Sequence, residues 1–64
     1  MKFNIYKGTF KDMENSGGEL FLINISKTEI VKFCNRQKFS FDKFFNDGEY
    51  MTNDIGVGFW LEEA

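Results

Sequence analysis

The sequence predicts a small single-domain α+β fold: a mainly antiparallel sheet of two hairpins packed on one central helix, in the order β-β-α-(short α)-β-β. Three observations carry this reading. Apolar residues alternate or cluster in strand-like runs at both ends of the chain, a helix-start signature stands between them at Ser26-Lys27-Thr28-Glu29, and glycine-bearing turns separate the runs. Residues 1–64 make one domain, because independent domains rarely fall below about 50 residues.

From Lys2 to Phe10 the chain alternates, with Phe3 and Ile5 on one side and Tyr6 and Phe10 on the other, the period of a strand. The polar stretch from Asp12 to Gly18 ends in a Gly-Gly pair and reads as a turn able to adopt positive φ. Glu19 to Ile25 is rich in strand formers and completes the first hairpin. Ser26 and Glu29 have the spacing of a capping box, which predicts a helix over Lys27 to Arg36. Helical periodicity places Ile30, Val31, Phe33 and Cys34 on its inner face and Thr28, Glu29, Lys32, Asn35 and Arg36 on the outer one. Phe39 to Phe45 repeats the entry logic, with Ser40 as cap and Phe39 placed to staple against Phe44. One or two helical turns burying Phe41 and two neighbours are expected before the stop at Asn46-Asp47-Gly48. The second hairpin then runs from Glu49 to Thr52 and from Val57 to Glu62, across Asn53-Asp54-Ile55-Gly56.

Composition narrows function more by exclusion than by assignment. Hydrophobic residues make up 42% of the chain against a net charge of −2, which places it among folding sequences and not disordered ones. There is no histidine to serve as a general base, and no Cys, His or carboxylate cluster with metal-ligand spacing, so neither enzyme chemistry nor a cofactor is expected. Asp42, Asn46, Asp47 and Glu49 crowd together, yet Phe44 occupies a position where a calcium loop needs oxygen. Gly56-Val57-Gly58 lacks the third glycine of a dinucleotide fingerprint and reads instead as a bulge or tight strand packing. Cys34, alone on an apolar helix face, reads as a core residue. The opening residues alternate and do not form the apolar core of a secretory signal, and no apolar run approaches the roughly 18 residues of a membrane span. A cytoplasmic protein with a reduced thiol is the expectation.

Two features point toward binding. The first is the aromatic content: nine Phe, two Tyr and one Trp in 64 residues exceed what one small core comfortably holds, and no disulfide or metal staples the fold. Self-association or a stabilising partner is expected. The second is charge. All eight basic residues lie between Lys2 and Lys43 among five acids, a formal +3, while Asp47, Glu49, Asp54, Glu62 and Glu63 give the remaining segment −5 with no base. A one-signed segment steers association with an opposite charge. Because the same segment holds Tyr50 and Trp60, the site expected is a protein-binding surface of Asp47, Glu49, Tyr50, Asp54, Trp60, Glu62 and Glu63, facing a basic partner. The alternative is a single-stranded nucleic-acid module built on Lys2, Lys7, Lys11, Tyr6, Phe3 and Phe10, with bases stacking between cations. A sequence pI near 4.9 ranks it second.

In size and composition, a tiny domain rich in Lys, Asn, Phe and Ile with acidic patches, the chain is similar to many phage and mobile-element accessory proteins that bind and block a host factor. The resemblance covers no specific residue. It implies an inhibitor or adaptor, and one way to use an acidic hairpin: as a mimic of nucleic-acid charge in a basic groove.

Overall fold

The computed structural model describes residues 1–51 and 56–64. The elements run β1 (Phe3–Thr9), α1 (Phe10–Glu14), β2 (Glu19–Ile25), α2 (Lys27–Gln37), α3 (Phe41–Asp47), β3 (Glu49–Met51) and β4 (Val57–Glu63). The four strands form one antiparallel sheet in the order β2-β1-β4-β3, so the two hairpins lie side by side with β1 and β4 in the middle. The α+β architecture expected from the sequence is the one observed.

The central helix begins where its capping box lies. Ser26 Oγ accepts the Glu29 N–H at 3.3 Å, and Glu29 Oε1 accepts the Ser26 N–H at 3.0 Å, so two otherwise orphaned donors are satisfied. The helix ends at Lys38, which caps it in the left-handed conformation. Ile30, Phe33 and Cys34 are fully buried from its inner face. In α3 the Ser40 cap is present, and Gly48 closes the helix at φ 77° with its N–H donated to Phe44 O at 2.8 Å. Phe44 is the buried residue of α3. Phe41, expected inside, is only half-buried; it stacks on Phe45 at 5.2 Å, and the Lys27 ammonium lies over the pair.

The segment after Thr9 departs from expectation. Thr9 and Asp12 form a second capping box, each side chain bonded to the other's backbone N–H at 3.0 Å, and this starts a five-residue helix where a plain turn was expected. Phe10 is consequently the first residue of α1 and not the last of β1. The Gly-Gly turn follows α1, with Gly18 at φ 88°.

The core lies between one face of the sheet and the two longer helices. Phe3 and Ile5 of β1, Ile25 of β2, and Ile30, Phe33, Cys34 and Phe44 of the helices form it. Phe33 is its hub, with ring centroids 5.1 Å from Phe59, 5.7 Å from Phe39, 6.0 Å from Phe21 and 6.1 Å from Phe44. Much of the aromatic surplus is thus absorbed by edge-to-face and tilted pairs.

Candidate functional site

Residues directly opposite in an antiparallel pair share a sheet face, so the register assigns each side chain. Ile5 pairs with Leu61 and Leu22 on the inner face, under the helices. Tyr6 pairs with Trp60 and Leu20, and Trp60 with Glu49, which puts Tyr6, Leu20, Trp60 and Glu49 on the outer face. Glu62, two residues beyond Trp60, joins them as the diagonal neighbour of Glu49. The Gly48 carbonyl accepts the Leu61 N–H at 2.8 Å and so brings Asp47 and Glu49 to the corner where Glu62 and Glu63 end β4.

The structure therefore brings Asp47, Glu49 and Glu62 together, sets Glu63, opposite the core residue Phe3, on the other face, and treats the two aromatic members differently. Trp60 shares a face with Glu49 and Glu62, yet it is only 4% exposed. Its ring stacks on Tyr6 at 5.9 Å, and it lies under the chain at Gly8 and Gly18, where an added Cβ would come within 3.1 Å and 2.5 Å of the indole. Trp60 thus supports the surface from beneath and is not itself offered to a partner. Tyr50 pairs with Phe59 and belongs to the inner-face register, where it stacks on Phe39 at 4.2 Å with the planes 2° apart. Beside it a shallow groove of about 460 Å³ is lined by Lys43, Asp47, Glu49, Tyr50 and Met51, and Lys43 tempers its acidity. Asp54 lies outside the described residues.

The nucleic-acid alternative needs Tyr6 and Lys7 on one platform. Strand alternation sets them on opposite faces: Tyr6 stacks outward on Trp60, while the Lys7 ammonium lies 5.7 Å from the Phe21 ring on the helix side. Lys11 is carried on α1 and Lys2 precedes the sheet. The four groups do not form one stacking surface.

What the sequence reading missed is the exposed apolar set on β2. Leu20 is 44% exposed, Phe21 39% and Ile23 65%, although the run Leu20-Phe21-Leu22-Ile23 is of the kind normally found in strands covered on both sides. The signal was present in that continuity. Nothing in the sequence announced that the strand would occupy an edge. Two register shifts against β1 splay the run, and Asn24, at φ 55°, donates its N–H to Asn4 Oδ1 at 2.8 Å.

The one cysteine is wholly buried, and burial pushes its thiol above the usual range, against any thiolate role. Among the described residues no group of three or more His, Cys, Asp or Glu side chains is placed to hold a metal ion, and no helix is long and apolar enough to cross a membrane. Comparison with protein-family models, with curated proteins and with solved structures found no match to this chain.

Proposed function

We propose that the chain is a non-enzymatic protein-binding domain, an inhibitor or adaptor, that presents the outer face of its sheet to a partner with a basic surface. The observation that carries this is the convergence on one face of the apolar groups Tyr6 and Leu20 with the carboxylates Glu49 and Glu62 at the rim and Asp47 at the adjoining corner. Apolar centres rimmed by one sign of charge are what protein interfaces use: the centre supplies desolvation energy, and the rim supplies steering and register. A basic partner suits this face better than a second copy, since two copies would set acidic rims against each other. The phage-like character of the composition fits a blocking role of this kind.

Affinity capture from extracts of the source cell, read by mass spectrometry and repeated with two charge-reversed pairs, tests the reading. Glu49→Lys with Glu62→Lys is expected to lose the captured protein, while Lys7→Glu with Lys11→Glu keeps it. The opposite pattern, together with tight binding of a labelled single-stranded oligonucleotide by anisotropy, would overturn the proposal in favour of a nucleic-acid module.

A further inference from the structure

A second surface lies between the edge strand β2 and α2, whereas Glu49 of the acidic face stands on β3 at the other edge of the sheet. Leu22 and Ile25 form the apolar floor of a groove of about 170 Å³, and Glu29, Lys32 and Arg36 stand along its helical wall. Lys32 and Arg36 are one turn apart on α2 and both are exposed. Glu29, the one carboxylate among the described residues lining this groove, keeps its charge while its Oε1 accepts the Ser26 N–H at 3.0 Å and the Ser26 hydroxyl at 3.2 Å, and it attracts Lys32 one turn along the helix, whereas Arg36 lies a further turn on. The groove is therefore apolar at its base and cationic at its far end. Among the described residues β2 is an edge strand, its free side presenting backbone groups that no other strand of the sheet pairs.

We propose that this groove binds an extended peptide segment in which an aliphatic side chain is followed by a carboxylate. The aliphatic group would sit on Leu22 and Ile25, the carboxylate would face Lys32 and Arg36, and the peptide backbone would run along β2, the strand-addition mode in which main-chain bonds give affinity and side-chain pockets give selectivity. The register shifts in β2 limit the usable edge, so selectivity rests on the groove and its cations. The site is independent of the acidic face: it uses different residues and takes ligands of opposite charge.

The probe is the peptide Ser-Val-Asp-Ile-Asp-Ser, compared with its neutral isostere Ser-Val-Asn-Ile-Asn-Ser, titrated into the isotopically labelled protein and followed by amide chemical shifts. The acidic peptide is expected to perturb amides of Leu22, Ile25 and the Lys32 to Arg36 turn in a saturable way, and to bind at least about tenfold more weakly to the folded variant Lys32→Glu/Arg36→Glu. Lys11→Glu, on α1, is expected to leave binding unchanged. Because Lys32 and Arg36 are exposed, the double variant retains the native spectrum elsewhere, which separates lost binding from lost folding. Equal affinity for the two peptides, perturbations confined to β3 or the outer face, or absence of saturable shifts at millimolar peptide would each overturn the assignment.

Discussion

Trp60 shows how glycine placement decides what an aromatic residue can do. The chain at Gly18 passes so close to the indole that only a residue without Cβ fits, and its φ of 88° also favours glycine. Gly18→Ala combines a left-handed backbone cost with a steric one, and is expected to lower stability by about 1–3 kcal/mol in urea unfolding, with a red shift in Trp60 emission as the roof lifts. An unshifted midpoint would mean that the turn relaxes without loss. Glu29 gives a second residue-level test. Hydrogen bonds from the Ser26 backbone and then its hydroxyl hold the Glu29 carboxyl below its ordinary value of 4.5. A depressed carboxylate stabilises the folded state above its unfolded pKa, and that stabilisation is lost as pH falls through the folded value. Thermal midpoints are therefore expected to fall on acidification below about pH 4.5, and Glu29→Gln to show a shallower fall.

At the scale of elements, two capping boxes of the same design have unequal consequences. That of α2 anchors a helix that buries Ile30, Phe33 and Cys34, whereas α1 buries no residue. Ser26→Ala is expected to cost about 0.5–2 kcal/mol of global stability. Thr9→Ala is expected to change the global midpoint by less than about 0.5 kcal/mol while speeding amide exchange in residues 10–15, because a short helix without buried side chains opens locally. Urea midpoints and native-state exchange on the two variants check both statements. The α2 helix was legible because its cap, periodicity and apolar face all agree. The α1 helix was not, because five residues offer too little periodicity and the same Thr-to-Asp spacing also suits a turn. Likewise β2 was legible as a strand but not as an edge, since strand order depends on contacts between residues far apart in the chain.

For the whole molecule, the Cα radius of gyration of 10.9 Å is close to the roughly 10.7 Å expected of a compact chain of this length. Compactness does not confer a large margin. A core of this size supplies on the order of 3–5 kcal/mol, and truncating a fully buried phenylalanine costs about as much. Phe33→Ala removes the hub of the aromatic cluster and is expected to leave the chain largely unfolded at 25 °C, as judged by loss of near-UV dichroism. A cooperative transition of unchanged midpoint would show that stability is spread well beyond Phe33. The charge asymmetry read from the sequence acquires a spatial form at this scale: Glu49 stands on β3 at one edge of the sheet, while Lys32 and Arg36 line the groove beside β2 at the other edge.

Local patterns determined the four strands, the two longer helices and their caps, and that Cys34 is interior, because each depends on residues within a few positions of one another. The tertiary structure alone decided that Trp60 is roofed, that Tyr50 stacks on Phe39 while lining a groove with Asp47 and Glu49, and that β2 lies at an edge of the sheet. Those outcomes follow from the order β2-β1-β4-β3 and the register between strands, which sets Tyr6 across from Trp60 over a separation of 54 positions. A face of a sheet is assembled from such distant pairs, and no window along the chain contains it.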